Sequence, residues 1–272
     1  MLPTFLLIGA MKSGTTTLYW YLAEHPDVFM PALKEPNFFN DHWNRGVGWY
    51  QRLFTPAGST IARGEASVRY TSFPDDPECP RRISSVVPDA KLLFLVRDPV
   101  DRIRSHYLHE LAALRERRPL EQALRENPIY LDRSRYSMQL ERYLEYFPRE
   151  RLLVVRAEDL FRAPLEVLPR VYAFLGVDPA WRPAGPARRD NETAARFQLP
   201  VVVRRGVRLA SEAGVYRHVP RGLKETVRVV TQQRARTVPE VRIPPPLAAE
   251  LRSELAEDLR RLEEIAGERL FS

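Results

Sequence analysis

Phe5-Leu-Leu-Ile-Gly-Ala-Met-Lys-Ser-Gly-Thr-Thr-Thr-Leu18 opens the chain with an apolar run, a short turn holding Lys12 and Gly14, and a run of threonines that starts a helix. A strand, a tight turn and a helix in that order gather main-chain N–H groups and the positive end of a helix dipole at one point, which makes an anion site. Lys12 adds a full positive charge there, and Ser13, Thr15, Thr16 and Thr17 add hydroxyl donors. Capping the helix needs one such hydroxyl and has no use for a lysine in mid-turn. The stretch reads as a phosphate-binding loop.

The order of residues bears on which phosphate it binds. A nucleotide triphosphatase loop reads G-x-x-x-x-G-K-[ST], with the lysine after the second glycine and a hydroxyl held against magnesium. Here Lys12 precedes Gly14, and the strand Lys91-Leu-Leu-Phe-Leu-Val96 ends in Arg97-Asp98-Pro99, with an arginine where a metal-binding acid would stand. Arginine at a strand tip binds an anion, not a metal. The ligand implied carries two separated phosphate groups without obligatory magnesium; a P-loop nucleotide kinase or NTPase is the alternative, lacking both its lysine position and its acid.

Around this loop, apolar runs of strand length recur at Phe5–Ile8, Val28–Met30, Lys91–Val96 and Arg151–Arg156, with a weaker one at Thr60–Gly64. Between them lie helical stretches at Thr15–Glu24, Pro99 to about Leu114, Ser134–Tyr146 and Pro164–Leu175. The alternation predicts an α/β fold, a P-loop-like central parallel sheet flanked by helices on both faces. Lys91–Val96 has no polar alternation and is expected as a central strand buried on both sides. A final helix, Leu247–Ile265, carries Leu251, Leu255, Leu259, Leu262 and Ile265 at three- and four-residue spacing and should pack that face on the core. One domain is expected over 1–272, with an α/β core over 1–181, an irregular basic segment over 182–246 and the closing helix over 247–272.

Composition narrows the class further. The 272 residues are 44% hydrophobic and 28% charged, enough for one large domain. No run approaches the roughly 20 apolar residues of a membrane span, so a cytoplasmic protein without a membrane span is expected. The single cysteine, Cys79, is read as an inert thiol. The net charge of +7 is concentrated: residues 200–245 hold ten Lys/Arg against three acids, and the rest is balanced. That segment has one aromatic, Tyr216, and matches no nucleic-acid-binding pattern, so a polyanionic small ligand is expected and nucleic acid is not.

Arg97 stands at the carboxyl end of a central strand, where open α/β sheets bind ligands, and Ser105 lies about two turns into the helix that Pro99 starts. At this point the chain resembles the PAPS-dependent sulfotransferases. Lys12-Ser-Gly-Thr-Thr-Thr17 is similar to the family's 5′-phosphosulfate loop, and Val96-Arg-Asp-Pro-Val-Asp-Arg-Ile-Arg-Ser105 to its 3′-phosphate element. The likeness is to the heparan sulfate type and its bacterial relatives. It runs on through His25-Pro26-Asp27-Val28, Lys34-Glu35-Pro36-Asn37-Phe38-Phe39, Gly48-Trp49-Tyr50, Arg135-Tyr136 and Phe147-Pro148, covering residues 5 to about 175. It departs at Gly64-Glu65-Ala66-Ser67, where the heparan type has a lysine after the glutamate, and in lacking a disulfide-closed loop.

The resemblance implies 3′-phosphoadenosine 5′-phosphosulfate (PAPS) as donor, the 3′,5′-bisphosphate (PAP) as product, no metal, and a hydroxyl or amine of a glycan, lipid or small metabolite as acceptor. Lys12 would neutralise charge on the leaving oxygen, and Glu35 sits where the resemblance places the base, with Phe38 and Phe39 as an apolar wall. His106 and His109, on the helix after Arg97, are the other candidates for the base. Tyr136 is a candidate cofactor contact; Glu65, Arg69 and Tyr70 are candidates for the acceptor cleft, as is His109.

Overall fold

The computed structural model describes residues 1–113, 115–185 and 241–271. Its centre is a parallel sheet of β1 (Phe5–Gly9), β2 (Val28–Phe29), β3 (Ala62–Ala66), β4 (Lys91–Val96) and β5 (Leu152–Arg156), in the order β2-β3-β1-β4-β5. β1 lies between β3 and β4, pairing Leu6 with Glu65 on one side and with Leu92 on the other. The chain leaves β1 toward one edge and β4 toward the other, so the crevice at the carboxyl ends of these strands is the topological switch point, where such sheets bind ligands.

Alternation of side chains along the strands sorts the core into two layers. Leu6, Ile8, Leu92, Phe94 and Val96 pack on one face with α3 (Cys79–Val86), α7 (Tyr136–Leu144) and α10 (Pro245–Ala266). Phe5, Leu7, Leu93 and Leu95 pack on the other with α1 (Thr15–Glu24) and α9 (Pro164–Leu175). All of β4 beyond Lys91 is buried, the both-faces burial its unbroken apolar run predicts. In α10, Leu251, Leu255 and Leu262 are buried, while Leu259 and Ile265 pack at the margin. Among the described residues no helix is long and apolar enough to cross a membrane.

Several boundaries shift by one or two residues from the sequence reading, among them the third strand and the last helix. The third strand is Ala62–Ala66, not Thr60–Gly64, which puts Glu65 inside the sheet instead of beyond it. α10 begins at Pro245, because proline is well suited to the first helical position, where its missing N–H is not needed. The short helices α2 (Gly46–Arg52), α5 (Leu120–Glu126), α6 (Ile129–Asp132) and α8 (Ala157–Arg162) have no expectation to match; each is too short for periodicity to register. α4 (Pro99–Ala112) starts where Pro99 predicts and is capped by the Asp98 carboxylate, which accepts from the Asp101 N–H at 2.9 Å. Of the basic segment, residues 186–240 lie outside the described residues.

Candidate functional site

Gly14 is where β1 turns into α1. It adopts φ 83°, and a Cβ there would stand 2.7 Å from the Phe161 ring, so both backbone and packing ask for glycine. α1 has no acidic residue in its first turn, which leaves the positive end of its dipole uncompensated by its own side chains. Ser13 is fully buried and its Oγ makes no hydrogen bond. A buried hydroxyl without a partner is costly, and a ligand oxygen at the loop removes that cost. Thr15 is buried, while Lys12, Thr16 and Thr17 are half-buried. Lys34, from the loop after β2, donates from Nζ to Thr16 Oγ1 at 2.5 Å, so a second lysine reaches the phosphate loop.

The tip of β4 is braced by one side chain. Tyr136, at the start of α7, donates its hydroxyl to the Arg97 carbonyl at 2.9 Å and accepts from the Arg97 N–H at 3.4 Å. Its pKa is pushed up to about 12 by burial. Tyr136 is fully buried and braces the Arg97 backbone, a supporting position. The Arg97 guanidinium lies 3.5 Å from Asp101 with its side chain 26% exposed. Ser105 is half-buried on α4.

Below Arg97, Arg102 is wholly buried, giving hydrogen bonds to Ser134 Oγ and to the Tyr130 carbonyl, each at 2.5 Å. Burial lowers its pKa to about 10, and Arg133 and Arg97 push in the same direction. His106 is held well below the usual histidine range by burial first and then by Arg102, His109, Arg133 and Lys12. It is therefore a neutral packing residue. These groups feel one another as a concentration of positive charge, the field a polyanionic ligand would compensate.

A carboxylate cluster occupies the neighbouring corner. Glu65 is fully buried; its Oε1 accepts from Tyr50 at 3.0 Å and Tyr70 at 2.6 Å, and its Oε2 accepts from Ser67 at 2.8 Å. Burial is the largest cause of a pKa raised to about 7, the three hydroxyls oppose it, and the charge of Glu35 adds to the rise. Glu35 itself is half-buried at φ 55°. Among the described residues the non-glycine positions at positive φ are Lys12, Glu35 and Asn37, all in these loops. Such conformations persist where surrounding contacts over-determine them, and they gather at functional sites.

The Glu65 shift makes a stability prediction. A carboxyl whose folded pKa stands near 7 against an ordinary value of 4.5 binds more protons folded than unfolded between those pH values, so its contribution is present below pH 4.5 and is lost as pH rises through 7. The loss amounts to about 3 kcal/mol, from roughly 1.4 kcal/mol per pKa unit. Urea unfolding at pH 5 and pH 8 should show wild type losing more stability than Glu65→Gln by that margin, and parallel curves would refute it.

The sequence profile of the family described as "Sulfotransferase domain" matches residues 2–191. The chain belongs to this sulfotransferase family. It is 34% identical over 200 residues to human bifunctional heparan sulfate N-deacetylase/N-sulfotransferase 3, an alignment covering 65% of this chain and 23% of that protein. It is 33% identical over 186 residues to human heparan sulfate glucosamine 3-O-sulfotransferase 3B1, covering 65% of this chain and 46% of that protein. The chain thus spans less than half the length of these relatives. Among solved structures, a sulfotransferase from Alicyclobacillus acidocaldarius superposes with a TM-score of 0.71 at 27% identity, covering 98% of this chain and 97% of that one.

Within this sulfotransferase domain, several expectations about the acceptor side change. Glu65 and Tyr70 present no appreciable surface and lie beneath the Glu35 loop, so they do not line an open cleft. Arg69 makes an exposed ion pair with Asp41 at 3.0 Å, and His109 sits half-buried one turn beyond His106. Sequence reasoning missed Lys34 and Arg102. Arg102 had a signal, since it shares with His106 the i, i+4 spacing of α4's inward face. Lys34 had none, because its contact with Thr16 depends on how the loop after β2 folds over α1. Cys79 is buried, and burial pushes its thiol up, out of the reactive range.

Proposed function

We propose that this sulfotransferase domain uses PAPS as donor and passes its sulfuryl group to a hydroxyl or amine of a glycan, lipid or small metabolite. The observation that carries this reading is the pairing of a cationic phosphate loop with Arg97 at the carboxyl ends of adjacent strands, where Tyr136 braces the Arg97 main chain. PAPS supplies a sulfuryl group already activated by a phosphate leaving group. Ser13, Gly14 and the threonines of α1 hold the 5′ side by N–H and hydroxyl donors, Lys12 neutralises the charge of the departing oxygen, and Arg97 with Ser105 holds the 3′-phosphate. Glu35 accepts the acceptor's proton. The relatives are named for N- and O-sulfation of heparan sulfate, and Ala66 replaces the lysine that accompanies the glutamate in that type, which favours an acceptor of different charge.

Calorimetric titration without magnesium tests the donor. PAP is expected to bind tightly, ADP at least tenfold more weakly because it lacks the 3′-phosphate, and Arg97→Ala should abolish most of that difference. Equal or magnesium-dependent ADP binding would instead support a nucleotide kinase. A screen of glycans, lipids and small metabolites with labelled PAPS then supplies the acceptor for kinetics.

A further inference from the structure

Glu35, Asn37 and their neighbours form a loop with two left-handed non-glycine residues, yet the loop is gripped at its main chain by side chains from the turn after β3. The Asn37 N–H donates to Ser67 Oγ at 3.0 Å, and the Phe38 N–H donates to the Tyr70 hydroxyl at 3.1 Å. Each of these hydroxyls has one proton, and each gives it to Glu65. A hydroxyl that donates to a carboxylate turns its lone pairs elsewhere, here toward the two N–H groups. Tyr50, the third donor to Glu65, stacks its ring on Phe38 at 4.4 Å between centroids and 10° between planes. Three routes therefore run from one buried carboxylate to the loop.

We infer that Glu65 is a positioning residue for Glu35: its ionised carboxylate orients the Ser67 and Tyr70 hydroxyls as acceptors for the Asn37 and Phe38 N–H groups, and so fixes the loop that carries the base. The inference rests on the reading of Glu35 as that base. A protonated Glu65 must itself donate to one of its three hydroxyl partners, which then no longer gives its proton to Glu65, so one of the three bonds that orient the hydroxyls is lost. The carboxylate form is the one that accepts from all three hydroxyls at once. The titratable groups facing it are Tyr50 from α2, Tyr70 from the turn after β3, Cys79 from α3 and Glu35 from the loop; burial keeps the tyrosines and the thiol neutral, which leaves Glu35 as the charge opposing ionisation.

Amide hydrogen exchange on the ligand-free full chain, read at Asn37 and Phe38, tests this directly. Glu65→Gln should raise exchange at both amides at least tenfold and cut turnover tenfold or more, with PAP affinity held within about threefold. If that variant does not fold, the single relays remain testable: Ser67→Ala should expose the Asn37 amide and Tyr70→Phe the Phe38 amide, each leaving the other protected. Unchanged exchange at both amides in these variants overturns the inference, as does raised exchange with undiminished turnover. Normal turnover of Glu35→Gln would overturn the assignment of the base and not the exchange result, so the two failures are distinguishable.

Discussion

Lys12→Ala should lower kcat for sulfuryl transfer on the order of a hundredfold or more while PAP binding weakens far less. The split follows from where the charge develops. In the proposed complex the loop N–H groups, the α1 dipole and the Ser13 and threonine hydroxyls meet the 5′-phosphate in the ground state, so one lysine is a fraction of the total attraction. As the sulfuryl group departs, the bridging oxygen gains charge, and a cation aimed there acts on the transition state more than on the bound nucleotide. Alanine is the informative replacement because Lys12 sits at φ 71°. Both side chains have a Cβ and share the cost of that backbone, roughly 1 to 2 kcal/mol, whereas glycine would relieve it and confound the reading. Rates with the screened acceptor and calorimetry with PAP give both numbers. A loss of PAP affinity as large as the loss of rate, with kcat intact at saturation, would make Lys12 a ground-state binder.

The elements that carry the two candidate anion sites were legible in the sequence because each is a local device. β1, its turn and α1 follow from an apolar run, a glycine and a helix former, and Thr15–Glu24 emerges with the bounds its sequence predicts. β4 is legible because burial on both faces leaves no polar residue to disguise it. β3 was misplaced for the opposite reason. Ala62-Arg-Gly-Glu-Ala66 carries two charges, and only tertiary structure reveals that the buried Glu65 is met in place by hydroxyls from Tyr50, Ser67 and Tyr70. The same limit hid Lys34, whose partner is eighteen residues away on another element. Tyr136 was visible as a candidate, but its task of bracing the Arg97 main chain is a matter of distance between α7 and β4.

Glu35→Gln should remove between a hundredfold and ten-thousandfold of kcat, the range typical of a lost general base, with PAP affinity retained. Glutamine has the same shape and the same left-handed backbone to satisfy, and its neighbour Pro36 restricts the position in either variant. The Asn37 and Phe38 N–H groups hold the loop by main-chain bonds that the substitution does not touch. What disappears is the lone pair that takes the acceptor's proton, together with a negative charge near Glu65. Because that charge adds to the rise that burial causes in the Glu65 pKa, Glu35→Gln should also lower the Glu65 titration, by less than burial raises it. The pH-dependent loss of stability described above would then occur over a narrower and more acidic interval. Turnover, PAP calorimetry and urea unfolding across pH on the same variant separate the cases. Low turnover with a shifted Glu65 window places Glu35 at both the chemistry and the carboxylate pair, while near-normal turnover with the same shift leaves it a charge neighbour and returns the search for the base to His109, the histidine of α4 that is not buried.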